Sequence, residues 1–478
     1  MDNILYGQFT LSKGRVAAPS NFCLHHCNDW QLHTHPGLPV HDLLDPQGTR
    51  IGFILGFIFT DGQLLFRPSS ILFPHVADLD DGYIEQRLRE MGGRYLLLIL
   101  PKEPGIPLAY PDPFSSLSSV YSSALGILSS TTSMLCYREG CKTAYPLDVY
   151  PSGVSNQFYP AGMTDIEGCH RLLPNHRLDL KTWQTTRFWP REALAPDPKT
   201  EVDRHVNNAV ERLRGNLLAA QATGLGMYSP LTAGRDSRAI LACASPEVRA
   251  DTRYVTLRFH SGAYKHKKDL HISRLLARRH HLNHEIVSIQ AASKDDQERY
   301  FYNVGRAGGA GKATKFYRTP LQSLDMNKIW LTGHGGAVAK RVYAKTVDRC
   351  YRPTAASLLA RAGLPQREDF LAGMERWLQS VPSHSSNELI ADLFYMEMRL
   401  GGWACPHLYG TAPFRVNVIP FSDRRYIETC FALPYATRQS LRACARIIEK
   451  ADSRLLDTPF ERLTGGARIR HFLSLGRR

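Results

Sequence analysis

Two short stretches carry most of the chemistry available to this chain. The first is LTAGRDS, Leu231 to Ser237, set between the apolar run GMYSPL and the helix-forming SRAILACA. Gly234 permits a tight turn that leaves backbone N–H groups exposed at a helix start, where anions bind. Thr232 and Ser237 add hydroxyl donors for phosphate oxygens. Asp236 is a hard oxygen ligand able to hold a Mg²⁺ ion that bridges phosphates. Arg235 and Arg238 flank it. One of them suits a phosphate or a substrate carboxylate, and the other a solvated position at the helix start. The spacing is not that of a Walker A loop, because GxxxxGK[ST] is absent. The second stretch is LTGHGGAVAKR, Leu331 to Arg341, with Thr332, Gly333 and His334 at another glycine turn. A histidine there can take up a proton near neutral pH, or it can serve only a local hydrogen bond. Lys340 and Arg341 bring positive charge directly after the turn.

A third cluster offers metal chemistry by composition only. Cys23 and Cys27 are near His25, His26, His33 and His35. The spacing resembles that of zinc ligands, but the better reading is a loop with chance histidines and a free thiol. The ten cysteines are otherwise scattered, and structural disulfides are not expected in a chain read as cytoplasmic. That reading rests on the missing signal-peptide pattern at MDNILYGQFTLSKG and on the lack of any apolar run of about 18 residues or more. The net charge of +15 suits nucleotides or an acidic substrate. Basic residues gather in RLLARRHHLNH (274–284) and in the last fourteen residues, without interleaved stacking aromatics, which argues against a nucleic-acid reader.

The elements that position these stretches fall into two parts. Residues 1–190 read as short strands broken by turns. RIGFILGFIFTDGQLL (50–65) places two apolar runs around Asp61-Gly62, a hairpin signal. DGYIEQRLREMG is the main helix there, and Asp112 is a structural turn residue. WPREALAPDPKT (189–200) reads as a linker with three prolines. In 191–478, Thr200 and Asp203 make a capping arrangement, and Val202, Val206, Val210, Leu213 and Leu217 recur at helical spacing. Strands then alternate with helices, the pattern of a parallel, helix-covered sheet that binds ligands at its carboxyl strand ends. Both glycine turns fall at such ends. Residues from about 350 onward read as mostly helical.

Several segments, taken in order, resemble the asparagine synthetase-like family, which includes β-lactam synthetases and lasso-peptide macrolactam cyclases. LTAGRDS resembles its SGGxDS pyrophosphate loop, with Thr232 and Ala233 in place of Ser and Gly. FYPAGMTDIEGCHRLLPNHRLDLKTWQTTRFW (158–189) is similar to the stretch linking its two domains, with Asn175 where glycine is usual. TRYVTLRF resembles the adenine-side strand, LTGHGG the G-x-G-[G/S]-D-E segment, and VNVIPFSDRRYIETCFALP (416–434) the E-x-R-x-P-F-L-D segment. The resemblance implies an N-terminal glutaminase-like (Ntn-type) sandwich over 1–190 and an ATP-pyrophosphatase domain with a helical end over 191–478. It implies ATP and Mg²⁺ as cofactors and adenylation of a carboxylate, followed by attack of an amine. It places Leu231, Thr232, Gly234, Arg235, Asp236, Ser237, Thr332 and Gly333 around the nucleotide, and Leu257 against the base. It makes His334 the base toward the amine, and Arg446 and Lys450 the cations near the reacting phosphate.

Departures from the family narrow the reading. Asp2 stands where its glutaminases need cysteine, so the amine is expected from the substrate rather than from glutamine. Ala337 and Val338 replace the Asp-Glu pair, leaving Asp236 as the obvious carboxylate ligand. The expected function is AMP-forming amide synthesis, as in macrolactam closure on a peptide, with a precursor-processing protease as a partner. A β-lactam-type small-molecule synthetase and a non-catalytic scaffold member of a biosynthetic cluster are the alternatives.

Overall fold

A computed structural model describes residues 4–74, 81–137, 140–144, 158–194, 196, 202–258, 264–289, 292–307, 328–343 and 352–460. Thr200, part of the 189–200 segment and the basic C-terminal stretch lie outside them. The described strands are β1 (Phe9–Ser12), β2 (Cys23–Cys27), β3 (Trp30–Thr34), β4 (Val40–Leu44), β5 (Arg50–Thr60), β6 (Gln63–Leu65), β7 (Ser70–Leu72), β8 (Gly92–Ile99), β9 (Leu108–Pro111), β10 (Val120–Ser122), β11 (Ile127–Ser129), β12 (His170–Arg171), β13 (His176–Asp179), β14 (Gln184–Arg187), β15 (Met227–Pro230), β16 (Thr252–Arg258), β17 (His284–Ser288), β18 (Ile329–Leu331) and β19 (Val416–Val418).

The first half forms two sheets, with orders β12-β10-β11-β1-β3-β2 and β14-β13-β9-β8-β5-β4-β7, β6 also pairing with β5. The period of two along the strands explains their layering. Phe53 and Leu55 of β5, with Leu96 and Leu98 of β8, pack against Phe9, Leu11 and Leu32 of the six-stranded sheet. The alternate residues Ile54, Ile58, Tyr95 and Leu97 face the helix Asp81–Glu90 through Ile84 and Leu88. At the β5–β6 hairpin, Asp61 and Gly62 both take positive φ, as a type I′ turn requires.

The second half begins with the helix Val202–Gln221, whose Val206, Val210, Leu213 and Leu217 are buried as the spacing predicts. It packs against Phe57, Phe59 and Leu64, so one core runs through both halves. Beyond it lies a five-stranded sheet, β17-β16-β15-β18-β19, with every pair parallel. The fold is therefore mixed α/β, with a parallel sheet and a mainly helical C-terminal part. One strand was missed in that part: β19 is three residues long, too short for a periodic signal, and its place is set by pairing with β18.

Two further expectations are corrected. Cys136 and Cys141 are joined by a disulfide, so the inference from compartment does not hold for this local pair. Cys23 and Cys27 lie on a β-hairpin strand rather than a loop. Among the described residues, no group of three or more His, Cys, Asp or Glu side chains gathers as a metal site.

A buried network joins the halves. Arg187 of β14 makes a two-pronged pair with Glu397, at 2.5 and 2.8 Å. Trp377 Nε1 (2.5 Å) and Asn175 Nδ2 (2.8 Å) also donate to Glu397, and Arg424 donates to Asn175 Oδ1 (2.8 Å). Asn175 has φ +66°. Asparagine is one of the few non-glycine residues that tolerate this region, and its side chain also feeds the network.

Candidate active site at the switch of the parallel sheet

Numbered by chain order within the sheet, the five parallel strands run 3-2-1-4-5. Strand order reverses between β15 and β18, whose residues Met227 and Ile329, Tyr228 and Trp330 lie side by side. The crevice outside the carboxyl ends of such a strand pair is where open α/β sheets bind ligands. Both glycine turns leave the sheet at this point. Pro230, which has no N–H to donate, ends β15.

The first turn is held from several sides. The Leu231 amide donates to Val255 O (2.9 Å), and Thr256 Oγ1 donates to Leu231 O (2.7 Å). Leu231 is thus a core residue that anchors the loop, with both backbone groups engaged. Thr232 Oγ1 accepts from the Gly234 amide (3.0 Å) and shares a hydrogen bond with Ser237 Oγ (2.8 Å). The Ala233 amide donates to Asp269 Oδ1 (2.9 Å), a carboxylate the sequence reading missed. Gly234 caps the nine-residue helix Arg235–Cys243, whose first amides have no carbonyl within the helix to bond.

Of the two flanking arginines, Arg238 takes neither expected role, because it is fully buried. It donates to the carbonyls of Thr458 (2.5 Å) and Pro459 (2.9 Å). Burial, with Arg235 beside it, pulls its pKa down to about 9. Arg235 and Arg238 both lie over the ring of Phe460, at 4.5 and 4.0 Å.

The second turn presses on the first. A Cβ at Gly336 would lie 2.9 Å from Asp236 Oδ1, so only a glycine lets the two turns meet so closely. Gly335 has φ +85°, and a Cβ there would fall 2.2 Å from Phe114 of the first half. His334 Nδ1 and Thr332 Oγ1 share a hydrogen bond (2.9 Å). Lys340 places its ammonium on Asp236 Oδ1. Arg341 instead packs over the Tyr435 ring at 5.1 Å.

Beside the turns lies a cleft of about 320 Å³, lined by Asp236, Gly333, His334, Gly335 and Ala337 on one side and by Tyr395, Arg399, Leu400, Trp403 and Ala404 on the other. The second wall is a π-helix, Tyr395–Ala404, closed by the Cys405 amide bonding to Leu400 O (2.9 Å). Such widened turns are uncommon and recur at functional sites. No spacing rule in the sequence signals one. Arg399 lies over Trp403 at 4.5 Å, giving the cleft a cation and an aromatic face. A larger cavity of about 430 Å³, bordered by Tyr121, His170, Trp183 and Arg376, contains no residue of either turn.

Of the expected residues, Asp236, Gly333 and His334 line this cleft, while Leu231, Thr232, Gly234, Arg235, Ser237 and Thr332 belong to the two turns without lining it, and Leu257, Arg446 and Lys450 stand apart from both. Leu257, near the carboxyl end of β16, is half-buried against Tyr228, Val255, Val287 and Trp330. Arg446 and Lys450 are on the exposed face of the helix Arg442–Asp452, and Arg446 pairs with Asp203. Lys340 is the cation that meets Asp236. The residues present do not fit a Mg²⁺ ion held almost entirely by Asp236: Lys340 occupies one carboxylate oxygen, and Ala337 offers no ligand atom.

No family profile matches the chain, and no curated protein does. Among solved structures it is similar to an NMN synthetase from Francisella tularensis, at 11% identity over 45% of this chain and 94% of that chain, with a TM-score of 0.19. A likeness this faint supports no conclusion about the chain.

Proposed function

We propose that the switch-point crevice binds ATP and that the chain forms amide bonds by adenylating a carboxylate, without hydrolysing glutamine. The observation that carries this reading is the meeting of two glycine turns at the reversal of strand order, one of them opening a helix. The order of segments shared with the asparagine synthetase-like family adds to it. On this reading, residues 1–190 are a glutaminase-like sandwich serving as scaffold, and 191–478 an ATP-pyrophosphatase-type domain. Cys27 suits a structural role there, since burial pushes its thiol up to about 11 and keeps it protonated.

Each residue of the crevice has its own part in the chemistry. The substrate carboxylate attacks the α-phosphorus, and pyrophosphate leaves toward the amides that open the Arg235–Cys243 helix. Thr232 and Ser237 exchange their mutual hydrogen bond for phosphate oxygens. Lys340 neutralises developing charge there. An amine of the substrate then attacks the acyl carbon and AMP leaves, with His334 taking the amine proton, oriented by Thr332. Arg399 and Trp403 suit an acidic peptide or small acid in the cleft, macrolactam closure on a peptide being the form favoured. Pyrophosphate exchange into ATP, screened over acidic peptides and small acids, tests the proposal. Absence of both exchange and ATP binding refutes it.

A second reading, a non-catalytic binding member, draws on the same contacts. Asp236 is neutralised by Lys340, and Asp269 already occupies a loop amide. ATP binding without exchange for any acid would favour it.

A further inference from the structure

We infer that Lys340 stands in for the divalent cation at this site, so that a nucleoside triphosphate binds here as the metal-free polyanion. The inference rests on the nucleotide reading above and goes beyond it by naming the form of the ligand.

Three observations converge. The Lys340 ammonium sits on Asp236 Oδ1, with only 18% of the lysine side chain and 32% of the aspartate exposed. The contact is therefore built into the fold rather than left to solvent. The second turn offers Ala337 in place of a second carboxylate, and no three-residue metal group exists among the described residues. The approach is also narrow: Gly336 lies so near Asp236 that a methyl group would not fit between them. Magnesium demands near-octahedral geometry and keeps several waters, which need room around the carboxylate. A lysine needs much less. Its three donors point in different directions, so one can stay on Asp236 while others reach phosphate oxygens. Magnesium arriving at Asp236 would have to displace the ammonium and remain beside it. Magnesium on ATP would instead lower the charge that Lys340 attracts.

Calorimetric titration of the full chain with ATP tests this, once in EDTA and once in excess magnesium. The expected result is affinity in EDTA equal to or above that in magnesium. Lys340→Met should lower metal-free affinity by about tenfold or more, the loss expected for one hydrogen bond between charged groups. Asp236→Asn, which frees the ammonium for phosphate, should raise metal-free affinity. An affinity of the unaltered chain that rises tenfold or more with magnesium overturns the inference and leaves the nucleotide reading standing. So does a Lys340→Met chain that binds metal-free ATP like the unaltered one. No ATP binding by the unaltered chain in either buffer fells the nucleotide reading itself, and the inference with it.

Discussion

Replacing Arg187 by Met should destabilise the protein far more than an ordinary ion-pair loss. Glu397 is fully buried, and Arg187 meets it through two hydrogen bonds. A unit charge pair near 4 Å is worth roughly 4 kcal/mol at an effective dielectric of 20, and removing one partner of a buried pair costs about 3–5 kcal/mol. Asn175 and Trp377 still donate to Glu397, which offsets part of this. The expected loss is about 3 kcal/mol, read from the midpoint of guanidinium unfolding followed by tryptophan fluorescence. Because the stranded group is the carboxylate, Arg187→Met with Glu397→Leu should recover part of the loss. The pH dependence has a definite sign. Burial opposes ionisation of Glu397, but Arg187, His176 and Asn175 together hold the pKa below the ordinary glutamate value. The pair's contribution is complete above that ordinary value and fades as pH falls through the lower native one. A loss below about 1 kcal/mol, or a double variant less stable than both singles, would refute the reasoning.

The same geometry sets further expectations. His176 is held neutral, its pKa lowered to about 4 by burial. The unfolded chain therefore binds the extra proton between pH 6.5 and 4, and stability should fall with acidification there, by up to about 1.4 kcal/mol per pH unit. His176→Gln should flatten that slope in unfolding curves taken across the window. Gly335→Ala should cost about 2 kcal/mol or more, because a methyl group at φ +85° meets the buried Phe114 ring; differential scanning calorimetry reads the loss. Arg446→Ala should change stability by less than about 1 kcal/mol and leave ATP affinity unaltered, since its partner Asp203 is exposed. A marked fall in ATP affinity would restore Arg446 to the phosphate site.

Strands and helices with strong periodicity were legible in the sequence. The helix from Val202 and the Asp61-Gly62 hairpin follow from residue spacing and turn chemistry alone. So does the alternation that gives the parallel sheet, and with it the placing of both glycine turns at strand ends. Features set by tertiary contact were not legible. Nothing in KRVYA identifies Lys340 as the partner of Asp236, 104 positions earlier, because the meeting depends on two strands becoming neighbours. The π-helix carries adjacent glycines, Gly401 and Gly402, which weaken a helix without saying how its turns will widen. The burial of Arg238 was not legible because its acceptors are backbone carbonyls, which leave no mark in a sequence.

The contact between Gly335 and Phe114 sets a rule for recombination. A turn of the candidate site rests on an aromatic ring contributed by the other half of the chain, 221 positions away. The two halves therefore cannot be traded as independent modules, however well a junction near residue 190 is joined. A chimera that takes its first half from another protein must carry a ring of the same size at position 114, or re-solve the turn above it. Inheritance of the crevice is joint, and a library that shuffles halves should retain function only where these two positions travel together.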